Sequence, residues 1–533
     1  MKKEKRTTYI VAGVCLIAII VLIVGIVLIV KSTDKDTSSG SKEASDRYKF
    51  SNEALSSGFA KFLQKVQDSD FEVFPEAIVY KPNVTVDEIK RVFKPFDSSW
   101  KNLKKRTDTA KELLDEVKDL TINTNKLKPR EKKALFRIKH YLQFNFAVPY
   151  DGNYYAGDYM MGPNLFCWQP ICGVPSQVAS LRYFQPKEVK DLEVLQDKLA
   201  LFNQTYHSYI QNLKDGIKAG MVRSVEECKA GLDAIKRTAF KVALNGPEGI
   251  LKEGAVQDLL SPNFLKHIMS KSEDLKKWEQ KHEKSVNESV REFLVDYVGK
   301  PLDNLFKYLE NDFSQYCVPS NISSGLANLP LSYIYKNGKN TGTKTTKKLP
   351  SGEDLDGKKS YDMIMPYFTT NNMTADEVWR ALRLIVDTGL HNKGFSREKA
   401  LKFFADYAWD TSDGASKEVT RYQSDPGQAT AYMVGQLHII KLREYATKKL
   451  GKKFNLKDFH FYLLSQGSAP LSYLDESISR YVECTLNNGK GDGCHDVLYP
   501  VGNDDKTTAS DGIFDDTEWG GYPPERYVPY HYI

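Results

Sequence analysis

Apolar side chains return every three or four residues over most of this chain. The longest stretch of that pattern runs through Leu192, Leu195, Leu199, Phe202, Tyr206, Tyr209, Leu213 and Ile217. This period keeps one face of an α-helix apolar for about seven turns, and Gly216 and Gly220 are expected to end it. A second long helix is predicted from Ser272 to Val298, with Val286, Val290, Phe293 and Tyr297 on one face and a stop at Gly299-Lys300-Pro301. Phe50, Leu55, Phe59, Phe62, Leu63 and Val66 mark a first helix. Thr85 is placed to cap another, with Asp87 and Glu88 in its first turn. Amphipathic helices are expected over 99–120 and from Arg130 to Phe144, and the last two from Phe454 to Leu464 and Leu471 to Val482.

From Asp387 to Glu444 the pattern predicts a helix pair. Ser396 caps the first helix, and Ala400, Phe403, Phe404 and Tyr407 share one face. The second follows Asp425-Pro426-Gly427, whose proline breaks a helix, and its apolar stripe is Met433, Leu437 and Ile440. Tyr422 then falls in the connection. Two stretches lack a helical period. Asp151 to Gln177, with its glycines, prolines and aromatics, reads as a long loop, either substrate-facing or a stapled connection. Between Asn321 and Asp356, Leu331 to Tyr335 is a candidate strand, followed by a Lys-Asn-Gly-Lys hairpin turn.

One apolar run has no period at all. Tyr9 to Val30 is 22 residues without a charge, the length that spans the hydrocarbon core of a bilayer. It is longer than the apolar region of a cleavable signal and lacks that signal's small-residue cut site. Lys2, Lys3, Lys5 and Arg6 precede it against Glu4 alone, whereas Lys31, Asp34, Lys35 and Asp36 nearly cancel behind it. Residues 1–8 are therefore expected in the cytosol and the rest outside or in a lumen, a single-pass type II arrangement held in the bilayer by residues 9–30. Residues 31–46 read as a polar stalk, 47–484 as a helical ectodomain, and 485–533 as an irregular acidic tail.

An exterior location changes the reading of the cysteines. Cys15 lies in the span, which leaves Cys167, Cys172, Cys228, Cys317, Cys484 and Cys494. Six thiols in an oxidising compartment imply three disulfides. The short loops favour Cys167–Cys172 and Cys484–Cys494, leaving Cys228–Cys317. Asn83, Asn203, Asn287, Asn321 and Asn372 stand in N-glycosylation sequons. A net charge of +6 on 533 residues, with no basic stripe among aromatics, gives no footprint for nucleic acid. No G-x-S-x-G elbow appears. Asp504, Asp505, Asp511, Asp515, Asp516 and Glu518 fit no calcium-loop spacing.

A set of short motifs carries a resemblance. Asp387-Thr388-Gly389-Leu390-His391, Lys393-Gly394-Phe395-Ser396, then Pro426-Gly427-Gln428-Ala429 with Tyr432, Gly435 and Gln436, then Gly467 with Pro470-Leu471, follow the order and near spacing of one family. Most of the chain after residue 46 resembles the family catalogued as domain of unknown function 885. The resemblance implies a mainly α fold similar to gluzincin-type zinc metallopeptidases. It also implies a helix reading H-E-x-x-P-G-H-H whose histidines bind zinc. By the same resemblance, His391 and Tyr432 stand where related peptidases place donors to the reacting carbonyl. Beside that reading, His391 is equally a capped loop histidine and Tyr432 a core tyrosine.

The metal motif is missing. The histidines are His140, His207, His267, His282, His391, His438, His460, His495 and His531, and no two are four apart. Leu355-Asp356-Gly357, Tyr361, Tyr367, Thr369-Thr370, Thr374 and Glu377-Val378 resemble the family just before its zinc half, and Trp379 already resembles the lead into Asp387. The block should lie between Val378 and Trp379. No cofactor is then expected in this chain, although zinc is implied for the complete family. Three functions follow as expectations: a non-catalytic relative (a pseudoenzyme, an isoform or an incomplete gene product), an active zinc peptidase with unconventional ligands, or an extracellular binding or adhesion module; a peptide is the candidate ligand. Loss of central helices should also bare apolar faces of their neighbours around 379–445, at about 25 cal/mol per Å².

Overall fold

The computed structural model describes residues 49–145, 159–370, 382–491 and 493–498. The span, the cytosolic segment and the stalk lie outside the described residues, as do the 378–379 junction, Asn372 and most of the tail. Among the described residues no helix is long and apolar enough to cross a membrane.

Helices dominate, and several begin at the caps legible in the sequence. Ser51 caps a short turn, Asn52–Ser56, and Gly58 (φ 81°) separates it from α1 (Phe59–Val73). The one helix expected there is therefore two, because the left-handed glycine turns the chain. Thr85 accepts from the Glu88 N–H as predicted. Next come α2 (Trp100–Asp119), α3 (Pro129–His140), α4 (Pro170–Gln177), α5 (Val189–Ala219) and α6 (Val225–Thr238). All eight residues of the predicted α5 stripe are buried. Gly220 (φ 85°) ends α5, but Gly216 lies inside it. A Cβ on Gly216 would stand 2.1 Å from the Met160 carbonyl, and one on Gly231 of α6 would stand 1.9 Å from the Pro163 carbonyl. These glycines let backbone 160–163 thread between the two helices. The described part of the 151–177 stretch is thus largely interior packing, ending in a helix rather than a loop.

The second long helix is also corrected. Ser272–His282 stops at left-handed Glu283, and Ser285 opens Val286–Leu294 with a capping box to Glu288. The chain then passes the expected stop through a π-turn, Val295–Gly299, into Lys300–Lys307. A wider turn tolerates the missing N–H of Pro301, and Gly299 serves a close approach to the Pro247 carbonyl. Strands β1 (Tyr333–Lys336) and β2 (Lys339–Lys344) pair antiparallel, with Lys336 opposite Lys339. Asn337 and Gly338 both take positive φ, as a two-residue hairpin turn requires.

The C-terminal half contains α7 (Gly357–Thr369), α8 (Leu382–His391), α9 (Arg397–Ala408), α10 (Asp413–Ser424), α11 (Ala431–Leu450), α12 (Leu456–Leu464) and α13 (Leu471–Leu486). Ser396 caps α9 as predicted. The connection in the expected pair is itself a helix, α10, capped by Ser412 and carrying Tyr422 on its buried side. Tyr407 leaves the expected face and is exposed, stacked on Phe403.

Two apolar clusters hold the molecule. The large one takes in α1 to α7 and the inner faces of α11 to α13. The small one joins Val386 and Leu390 of α8 to Phe395, Ala400 and Phe404 and to Ala415, Val419, Tyr422 and Ala429. The three disulfides pair Cys167–Cys172, Cys228–Cys317 and Cys484–Cys494. Helix α13 continues two residues into the expected tail, and a further turn, Cys494–Leu498, follows the last disulfide. Asn83, Asn287 and Asn321 are exposed, and Asn203 is half-buried on α5.

Candidate functional site

The Asp387–His391 motif forms the C-terminal end of α8. Residues four apart on a helix share a face, so Asp387 and His391 both look toward Tyr361 of α7. The Tyr361 hydroxyl donates to Asp387 Oδ1 at 2.7 Å, and the Gly427 N–H donates to the same oxygen at 2.9 Å. The His391 ring stacks on Tyr361 at 5.3 Å between centroids. Its Nδ1 accepts from the Leu326 N–H at 3.0 Å, and its Nε2 donates to the Tyr422 carbonyl at 2.8 Å. Both nitrogens are thereby used in a fully buried neutral ring. Gly389 lies between the two, and a Cβ there would stand 2.3 Å from the Phe395 ring. Gly427 takes φ 84° in the turn that Asp387 holds.

The surroundings repeat this pattern of long-range clasps. Arg397 donates to Gln423 Oε1 and to the carbonyl and hydroxyl of Ser416. Arg223 donates to Glu227 and to the Ser424 carbonyl, both at the edge of the Pro-Gly turn. The motifs thus interlock α7, α8, α10 and the 425–430 turn. The structure does not bring the two sequence-predicted donors together. His391 has no nitrogen left for a substrate, whereas Tyr432 is 58% exposed on α11, its hydroxyl accepting from Gln428 Nε2 at 3.3 Å and its ring under the Arg383 guanidinium. In the sequence Tyr361 stands only as part of the resemblance and not as a site residue, because nothing local marks its partner 26 residues away.

Burial sets the protonation of this cluster. It pushes Asp387 up to about 7, opposed by the hydrogen bonds from Tyr361, Gly427 and Ala429 and by the charge of Arg421. Burial also drives His391 down to about 4, opposed by its bond to Tyr422 and helped by Arg223. A carboxyl with a raised folded pKa holds an extra proton in the native state, so its contribution to stability falls as pH rises from about 4 to about 7. His391 has the opposite sign: the native ring refuses a proton that the unfolded chain takes, so stability is lost as pH falls from about 6.5 to about 4. The two slopes oppose each other in the wild-type protein. Asp387→Asn removes only the first, so its unfolding free energy relative to wild type should climb between about pH 4 and 7, by a few kcal/mol at about 1.4 kcal/mol per pH unit. Urea midpoints across that range measure the difference. A flat difference would show that Asp387 ionises as an ordinary carboxylate.

Among the described residues, no three of His, Cys, Asp and Glu come together as a metal would need. His282, in the lone His-Glu pair, stacks on Trp278 instead. The described residues do not fit zinc.

Helix α11 is the other unusual feature of this region. Its inner face buries Val434, Leu442, Ala446 and Leu450, and His438 meets Asp475 of α13 at 3.2 Å. Among the described residues its outer face is bare: Tyr432, Gly435, Gln436, Ile439, Ile440 and Arg443 line an open groove. Leu437, expected in the buried stripe, is 49% exposed. Helices α8, α9 and α10 bury their facing apolar sides in the small cluster.

A family profile described as "Bacterial protein of unknown function (DUF885)" matches residues 96–378 and 376–478. No curated protein matches the chain. A solved structure titled "The crystal structure of the putative lipoprotein from Colwellia psychrerythraea" is similar at 13% identity and a TM-score of 0.45, covering 81% of this chain and 99% of that one.

Proposed function

The chain belongs to the family of bacterial proteins of unknown function DUF885, and on that premise we propose that it is a non-catalytic, membrane-anchored member that binds a ligand, of which a peptide is the first candidate. One observation carries this reading: the two matched stretches meet at 376–378, where the motif order places the missing metal-binding block. The bonding of both His391 nitrogens supports it, since a catalytic donor needs a free N–H near the substrate. The anchor in this proposal is the apolar run 9–30, with the ectodomain outside the cytosol or in a lumen.

Two measurements test the proposal together. Amplifying the transcript between the codons of Thr369 and His391 should yield only the direct join of Val378 to Trp379. Elemental analysis of the purified chain should find no stoichiometric zinc. A dominant longer product encoding H-E-x-x-H would make this chain an incomplete form of a zinc peptidase. One zinc per chain with peptide hydrolysis would establish unconventional ligands.

A further inference from the structure

We propose that the acidic C-terminal tail of this chain, through residues 511–519, occupies the bare groove of α11. A helix that is apolar on two faces is stable when both are covered. The outer stripe of α11 repeats at three- and four-residue spacing from Tyr432 to Arg443, a length of about 17 Å. Its rim is basic. Arg383 lies over the Tyr432 ring at 5.5 Å, with Glu418 at 3.9 Å. Arg443 has no acid paired with it among the described residues, and Lys441, Lys448 and Lys449 are exposed farther along, against Glu444.

The tail has the complementary chemistry. Residues 499–533 hold seven acids (Asp504, Asp505, Asp511, Asp515, Asp516, Glu518 and Glu525) and two bases (Lys506 and Arg526). Within 511–519, four of those acids flank Ile513, Phe514 and Trp519, side chains suited to an apolar groove with a basic rim. The root of the tail is also in place. Cys494 is tied to Cys484, the Tyr462 hydroxyl donates to the Leu498 carbonyl, and Lys453, just beyond α11, donates to the Leu486 carbonyl and to Asn488. The tail therefore leaves from the C-terminal end of α11, and residues 499–510 reach up to about 40 Å when extended. The groove would be closed by the chain itself, and a ligand for this face would compete with the tail.

The test places a single free thiol in the groove. The full chain carrying Cys15→Ser and Gln436→Cys is held in detergent and treated with a maleimide. A tethered segment is present at an effective concentration of order 1 mM, so an interaction of about 0.1 mM slows modification about tenfold. Ending the same chain at Leu498, or introducing Asp515→Lys with Asp516→Lys, should restore the fast rate. Adding a synthetic peptide of residues 499–533 to the shortened chain should slow it again. Equal rates with and without the tail would overturn the proposal. Protection that survives tail removal and grows with protein concentration would also overturn it, in favour of a second copy as the occupant. Zinc content plays no part in these readouts, so this inference and the proposed function fail separately.

Discussion

Replacing Glu227 with alanine is expected to destabilise the protein by about 3–5 kcal/mol, since it breaks a buried ion pair and removes the acceptor that closes the cap of α6. Arg223 and Glu227 are 2% and 3% exposed, with Nη1 and Oε1 3.3 Å apart. Glu227 Oε2 also accepts from the Ser224 N–H, closing the capping box at the start of α6. Arg223 also donates to two carbonyls, Gly162 at 3.4 Å and Ser424 at 3.4 Å. Glu227→Gln keeps an acceptor for the cap and should cost less than alanine. Urea unfolding gives both values, and a loss below about 1 kcal/mol for alanine would mean that Arg223 finds another counter-charge or reaches water.

His391→Ala is expected to destabilise by roughly 3–5 kcal/mol, through a cavity beside Tyr361 and two buried backbone groups left unpaired, the Leu326 N–H and the Tyr422 carbonyl. This substitution separates the two meanings of the motif. A histidine that donates to a substrate can be removed with little change in melting, and the loss then appears only in turnover. A histidine that joins α8 to α10 and to the 326 turn takes stability with it. A melting curve decides between them before any substrate is known. An unchanged midpoint would return His391 to the list of candidate donors.

The candidate site was partly legible in the sequence. The residues from Asp387 to Gln436 could be read as one interdependent set from their order and spacing, but their role could not. Asp387 and His391 have the composition of a reactive pair, yet they are clasps, because Tyr361, Leu326, Tyr422 and Gly427 come from segments far apart in the chain. Tyr432 belongs to the same string of motifs and lies on another surface.

By itself the sequence determined whatever depends on neighbours a few residues away. The caps at Thr85 and Ser396, the face of α5 and the Asn337-Gly338 turn follow from local backbone and side-chain chemistry. Loop length favoured two of the disulfide pairs and left the third as the remainder, and the structure shows all three. The tertiary structure alone decided which of two apolar faces of α11 is covered, why Gly216 and Gly231 are glycines, and why Pro301 does not stop its helix. Each depends on a surface supplied from elsewhere in the fold: α13 against the inner side of α11, carbonyls 160 and 163 against the two glycines, and Pro247 against Gly299. Periodicity reports that a face is apolar, but only packing settles what meets it.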